Sequence, residues 1–206
     1  MSQAIPLNGL VKSDKIVHDR PPMLAIGIMI WLGSELMFFS GLFAALFTIR
    51  SHVGYWPVLV KDAHGHATHL DVLQAGIFTI ILVSSSFTMQ WAVWLAEHRR
   101  RAEAAIWIWI TIGLGALFLG NQLWEWTHVA TRWYSNAFGS IFFITTGLHG
   151  LHVFIGLVAM GFLLYRLQGV KGGDPGELSA VQGVSYYWHF VDVVWVGLYS
   201  ALFLLK

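Results

Sequence analysis

The length and number of the apolar stretches most strongly limit what this chain can fold into. A helix needs about 20 residues to cross the hydrocarbon core of a bilayer. Five stretches of the 206-residue sequence meet that length, over residues 23–49, 72–96, 104–130, 137–167 and 179–205. Short polar segments separate them. The sequence therefore predicts an all-α bundle of five transmembrane helices in one domain, 23–206, behind a polar tail, 1–22.

The composition agrees with a membrane protein. Charged residues make up 11% of the chain, whereas a soluble domain carries about 25%. The net charge of +1 gives no sign of a nucleic-acid partner, and the absence of cysteine excludes disulfides and thiolate metal sites. Residues 1–22 lack the apolar core of a signal peptide and are expected to remain as a tail.

Lysine and arginine are unevenly divided between the two sides of the predicted bundle. One side carries Lys12, Lys15, Arg20, Arg99, Arg100, Arg101, Arg166 and Lys171. The other side carries Arg50, Lys61, Arg132 and Lys206. Because positive residues accumulate in cytoplasmic loops, we predict a cytoplasmic N-terminus and a C-terminus on the outside.

Several ionisable residues lie inside the predicted spans, although a charge at mid-bilayer costs about 3 kcal/mol. They are Glu35, Glu125, His128, His149, His152, His189 and Asp192. His149 and His152 are three residues apart, as are His189 and Asp192, so each pair shares one helix face. Together with Glu35 they predict a polar belt at mid-depth if the first, fourth and fifth spans are neighbours.

Three interpretations of this belt are open on chemical grounds. Imidazole and carboxylate ligands suit a metal or heme site. Glu35 is the best candidate for a proton route or charge switch, because an apolar setting favours the neutral acid. The third interpretation is a set of hydrogen bonds between helices. A separate histidine-rich loop, "HGHATH", contains His64, His66 and His69, which could bind a metal but are by default solvated.

Three segments resemble subunit III of the heme–copper terminal oxidases, most closely the cytochrome c oxidase branch. "SELMFFSGLFAALF" is similar to the family's Ser-Glu-x-x-Phe-Phe helix, and "GSIFFITTGLHGLHVFIGL" to its His-Gly-x-His segment. "YYWHFVDVVWVGLY" resembles its Trp-His-Phe-Val-Asp-Val-Val-Trp signature. A fourth segment, "GNQLWEWTHV", also resembles the family's Gln-x-x-Glu-Tyr stretch, with Trp126 in place of tyrosine. The long family form has seven helices, so the chain is similar to the short bacterial form.

The resemblance implies a non-catalytic accessory subunit of a proton-pumping cytochrome c oxidase in the bacterial cell membrane. The hemes, CuA and CuB would lie in partner subunits I and II, cytochrome c would donate electrons to the complex, and this chain would bind phospholipid but no metal. Its role would be to support stability and proton uptake of subunit I. Glu35 matches the family's carbodiimide-reactive acid. Interhelical polar or lipid contacts are expected at Glu125, His149, His152, His189 and Asp192.

Other functions are compatible with the same motifs. Subunit III of a quinol oxidase shares the His-Gly-x-His and Trp-His-Phe-x-Asp motifs, and a homologue associated with nitric oxide reductase is a further variant. A different class of protein, an integral membrane metalloenzyme, would use the mid-membrane histidines directly as ligands.

Overall fold

The computed structural model describes residues 23–52, 72–128, 137–169 and 176–205. The tail 1–22 and the loop with His64, His66 and His69 lie outside the described residues. The described chain forms α1 (Met23–His52), α2 (Val72–Glu97), α3 (Arg101–His128), α4 (Ala137–Gln168) and α5 (Gly176–Tyr199). All five helices are long and apolar enough to cross a membrane. The prediction of an all-α protein with five such helices is confirmed.

A tight turn joins α2 to α3 and makes them antiparallel neighbours. Arg99 occupies it with a φ of 58°, the left-handed conformation that commonly ends a helix. The amide of Arg100 donates to the carbonyl of Leu95 at 2.9 Å, which satisfies one of the last carbonyls of α2. The end of the bundle at this turn, called the turn end below, also holds the start of α5, because Arg101 pairs with Glu177 at 3.1 Å.

The fifth helix lies at the centre of the bundle. It packs against α1, α2 and α4, while α3 packs against α2 and α4. α1 lies at the edge and packs mainly on α4 and α5. The first, fourth and fifth spans are therefore neighbours, the arrangement on which the predicted polar belt depends.

Trp188 on α5 connects four helices in the middle of the core. Its side chain is fully buried, and its indole Nε1 donates to Ser85 Oγ on α2 at 2.8 Å. A Cβ atom built on Gly115 of α3 would lie 2.7 Å from the indole, and one on Gly156 of α4 would lie 2.8 Å from it. The two glycines therefore provide the space that the indole fills, since real Cβ atoms do not approach so closely.

Small residues spaced four apart, Gly41 with Ala45 and Ala116 with Gly120, predict close helix packing from the sequence. In the structure both pairs are exposed, and no other described residue comes within 4 Å of a Cβ built on Gly41 or Gly120, apart from the neighbouring backbone of the same helix. Neither pair therefore lies at a contact between the described helices.

The far end of α5 changes its hydrogen-bond pattern. Ser200–Leu204 form a π-helix, and the amide of Leu205 donates to the carbonyl of Ser200 at 3.0 Å. Arg50, near the end of α1, donates from Nη1 to the Leu205 carbonyl at 2.8 Å. A cation at a helix C-terminus is favourable, so this contact fastens the edge helix to the central one.

Candidate functional site

Glu35 on α1 and His152 on α4 form a pair across two helices. Glu35 Oε2 lies 3.2 Å from His152 Nε2. The other ring nitrogen, Nδ1, is 2.7 Å from the carbonyl of Leu148, which can only accept, so Nδ1 carries a proton and donates. A hydrogen bond between Nε2 and the carboxyl therefore requires one further proton. If this proton is on Glu35, the pair is a neutral acid beside a neutral imidazole. If it is on His152 Nε2, the pair is an ion pair.

Aromatic rings surround the Glu35–His152 pair without closing it off. The centroids of the Phe39 and His152 rings lie 5.2 Å apart in an edge-to-face arrangement. The Tyr187 hydroxyl donates to the His152 carbonyl at 2.9 Å. Trp31 stacks on Tyr187 at 5.4 Å. The side chain of Glu35 remains 22% exposed and that of His152 11% exposed. The acid can therefore be reached from outside the bundle.

An apolar groove begins next to this pair and runs towards the turn end between α1, α4 and α5. Its volume is about 170 Å³. Two of its walls, Trp31 and Tyr187, also flank the pair. The lining residues are Ile28, Trp31, Ile155, Ala159, Gly183, Val184 and Tyr187. The groove offers an apolar chain a place beside a carboxyl group.

A second polar group lies between α2 and α5. Ser86 Oγ donates a short hydrogen bond to Asp192 Oδ2 and lies 2.9 Å from His189 Nδ1. His189 Nε2 lies 3.1 Å from Ser185 Oγ and 3.2 Å from Gln90 Oε1. Asp192 is buried, His189 is half-buried and Gln90 is exposed. The group therefore extends from the interior to the surface.

His149 lies in a different environment from both polar groups. It is fully buried, stacked on Trp195 of α5 at 4.8 Å and in edge contact with Phe118 of α3 at 5.9 Å. Neither ring nitrogen has a hydrogen-bond partner among the described residues. Its observed contacts between helices are aromatic, whereas the sequence predicts polar ones.

Glu125 and His128 lie away from mid-depth. Glu125 is 24 residues into α3, about 36 Å from the turn end at 1.5 Å per residue. Glu35 is 12 residues into α1, about 18 Å along its helix. Glu125 is half-buried, and the exposed His128 stacks on Trp124 at 4.3 Å. The expected polar or lipid contact of Glu125 stays a prediction.

The mid-membrane residues thus form two separate polar groups and one aromatic contact, where the sequence predicts a single belt. Within the described ranges, no three histidine, aspartate or glutamate side chains come together as a set of metal ligands. Ser86, Gln90 and Tyr187 are absent from the predicted site residues. The second apolar span contains the polar run "SSS" at 84–86 and a glutamine at 90. These residues are the sequence signal that α2 contributes to a polar contact.

Comparison with known proteins assigns these motifs to one family. The model of the family described as cytochrome c oxidase subunit III matches residues 16–205. The chain belongs to the cytochrome c oxidase subunit III family. Its predicted resemblance to that family is confirmed.

Curated relatives match along nearly the whole length of the chain. The probable cytochrome c oxidase subunit 3 of Nocardia farcinica is 43% identical over 192 residues, with 91% of each chain covered. That of Mycobacterium tuberculosis is 38% identical over 211 residues, with 100% of each covered. The cytochrome c oxidase subunit 3 of Corynebacterium diphtheriae is 42% identical over 194 residues, with 91% of each covered.

Membership of the cytochrome c oxidase subunit III family fixes the general role of the chain. It is a multi-pass membrane protein and a non-catalytic subunit of a respiratory oxidase, in which it associates with other oxidase subunits. The three motifs of the resemblance lie on α1, α4 and α5, the helices that surround the Glu35–His152 pair.

Proposed function

We propose that this chain is the accessory subunit III of a proton-pumping cytochrome c oxidase, supporting stability, lipid binding and proton uptake of catalytic subunit I. The family match over residues 16–205 carries the proposal. The relatives are subunits of cytochrome c oxidases, which favours cytochrome c over quinol as the electron donor of the complex. The partners are subunits I and II, which hold the hemes, CuA and CuB.

The proposed orientation places the turn end in the cytoplasm of a bacterial cell membrane. Arg99, Arg100 and Arg101 lie together at that end, and the positive-inside rule supports this direction. Arg50 lies at the opposite end and is joined there to the end of the chain's last helix. Mapping both ends in intact cells with a membrane-impermeant reagent would test the orientation.

Glu35 is proposed as the proton-active acid of this subunit. The contact with His152 gives the pair two ways to hold one proton, and the partial exposure of Glu35 lets a proton or a reagent reach it. Acidic residues inside a membrane usually have a function, since placing an ionisable side chain in the bilayer costs free energy. The adjoining groove supports the binding of a phospholipid chain, since its walls are apolar.

Purification of the intact complex through a tag on this chain tests the assignment. We expect co-purification of heme- and copper-containing subunits that oxidise cytochrome c. Oxidation of quinol in place of cytochrome c would favour the quinol oxidase alternative. The tagged chain released from the complex should show no heme absorption. Stoichiometric heme or iron in that chain would contradict the accessory role and favour a metalloenzyme.

Glu35→Gln is expected to abolish carbodiimide labelling of this chain in the purified complex, because the amide cannot form the adduct. Mass spectrometry of the treated subunit measures the label. Asp192→Asn is the matched control, since Asp192 is only 4% exposed and should not be the labelled acid. Persistence of the label in Glu35→Gln would show that another acid, such as Glu125, is the reactive one.

A further inference from the structure

A line of polar side chains follows the contact between α2 and α5 from the turn end to the interior. On α5 its members recur at intervals of three and four residues, which places them on one helix face. We call it the polar seam, and it consists of Glu97, Gln182, Gln90, Ser185, His189, Ser86 and Asp192. Apolar spans seldom carry so many polar groups on facing surfaces, because each must find a partner in the bilayer.

The mouth of the polar seam lies at the turn end. Gln182 Nε2 donates to Glu97 Oε1 at 3.1 Å, and Glu97 is exposed at the last residue of α2. The ion pair between Arg101 and Glu177 lies beside it. An exposed carboxylate here attracts protons from the adjacent water through its charge. The seam therefore begins where protons are available.

The deep part of the polar seam is a continuous hydrogen-bonded chain. Because Ser86 Oγ donates to Asp192, it accepts from His189 Nδ1, which fixes that tautomer. Ser185 then donates to His189 Nε2, and Gln90 Oε1 stands 3.2 Å away to accept from Nε2 when this nitrogen is protonated. A hydroxyl and an imidazole can each take one proton and pass on another.

The inner end of the polar seam is the buried carboxyl group of Asp192, one oxygen of which is available to accept a further hydrogen bond or a proton. Asp192 Oδ1 has no hydrogen-bond partner among the described residues, and Asp192 is the sole aspartate in those ranges. On α4 the facing ionisable group is His149, which contacts Trp195 one turn beyond Asp192. The neighbouring bonds from Trp188 to Ser85 and from Trp195 to Thr79 already hold α2 to α5. Packing therefore does not require a carboxyl here.

We infer that the polar seam is a proton path, and that Asp192 is a proton-exchanging site connected through Ser86 and His189 to the exposed Gln90, on the side of the seam that leads to the turn end. The inference is independent of the role of Glu35, which lies on the other side of α5 with α1 and α4. It assigns this accessory chain a second acid that takes up protons along a line of its own polar side chains.

The transfer conserves the total number of protons and the total charge. A hydronium ion that reaches the exposed Gln90 gives a proton to His189 Nε2 and leaves as water. The resulting imidazolium donates from Nε2 to Gln90 Oε1. The Nδ1 proton moves to Ser86 Oγ as the Ser86 hydroxyl proton moves to Oδ2 of the Asp192 carboxylate. One proton has entered, Asp192 is neutral, and His189 is neutral with its proton on Nε2. The reverse sequence returns the proton from Asp192 to water and restores the starting tautomer, which completes one exchange.

Infrared spectroscopy of the intact oxidase complex in heavy water tests this path. The C=O stretching band of protonated Asp192 is identified as the band that Asp192→Asn removes. The rate at which this band shifts in heavy water measures the rate of proton exchange at Asp192. Asp192→Glu, which keeps the carboxyl and moves the band, gives the same assignment if the asparagine variant does not assemble. The absence of any such band would overturn the proposal.

Ser86→Ala is expected to slow this exchange by about tenfold or more, because the loss of one relay hydrogen bond raises the barrier by an amount of that order. Ser86→Thr should restore the rate, since it keeps the hydroxyl. Ser85→Ala is the matched control, because it removes the adjacent hydrogen bond between α2 and α5 without touching the seam. An unchanged rate in Ser86→Ala, or equal slowing in Ser85→Ala, would overturn the path.

Discussion

Trp188→Ala should destabilise the chain by about 3–5 kcal/mol, the range for removing a large buried aromatic side chain. The cavity would open between α3, α4 and α5, and the Ser85 hydroxyl would lose the donor that now lies 2.8 Å away. A loss of this size is a large fraction of the free energy of unfolding of a typical domain, which is about 5–15 kcal/mol. We therefore expect little of the variant subunit in membranes, as measured by immunoblotting. Any complex that does assemble should have a lower thermal midpoint.

The control for this change is another tryptophan removed from an exposed position. Trp109 on α3 is 57% exposed, so Trp109→Ala should leave the amount of assembled subunit nearly unchanged. Trp188→Phe separates the two parts of the effect, because it keeps most of the volume and loses the hydrogen bond, worth about 1 kcal/mol. Equal tolerance of Trp188→Ala and Trp109→Ala would contradict the central position of the indole.

Gly156→Ala and Gly115→Ala are each expected to cost about 1–3 kcal/mol by overpacking. The added methyl group would lie 2.8 Å from two indole carbons at Gly156, and 2.7 Å from one at Gly115. The indole has little room to shift away from either methyl group, because the other glycine's helix contacts adjoining atoms of the same six-membered ring. The amount and thermal midpoint of the assembled complex measure the effect.

Two other glycines on the same helices provide matched controls. Apart from the backbone of its own helix, no described residue comes within 4 Å of a Cβ built on Gly113 of α3 or Gly161 of α4. Alanine at these positions should be neutral or slightly stabilising, since alanine favours a helix over glycine by about 1 kcal/mol. Combining Gly156→Ala with Trp188→Phe should recover part of the loss, because contacting residues are energetically coupled. Equal effects of Gly161→Ala and Gly156→Ala would contradict the contact with Trp188.

The helices could be predicted closely because the apolar lengths that a bilayer requires are visible in any single sequence. The predicted span 72–96 became Val72–Glu97, and 137–167 became Ala137–Gln168. Which helix faces meet could not be predicted in this way. Gly41 and Gly115 are both glycines of an apolar span, and only the packing of α5 distinguishes the exposed one from the one that faces Trp188.

The same distinction holds for the candidate site: its ionisable residues could be predicted from the sequence, but their partners could not. The cost of ionisable groups in lipid identified Glu35, His152, His189 and Asp192 as residues in need of explanation. The partners of those residues depend on how the helices are rotated, so Ser86 was not predicted as the link between His189 and Asp192. His149 has the same spacing signal as His152 but faces Phe118 and Trp195, because one turn of α4 contacts two different neighbours.

The central position of α5 has a consequence for the order in which the protein can be made. α5 is the last of the five helices along the chain, yet it supplies the surface on which α1, α2 and α4 pack. During synthesis, Glu35 enters the membrane more than one hundred residues before His152, its partner on α4. Until α4 and α5 are made, the polar side chains of α1 and α2 therefore lack the partners that they have in the finished subunit. Damage to α5 should consequently appear as degradation of the newly made subunit, before any defect in a finished complex can be observed.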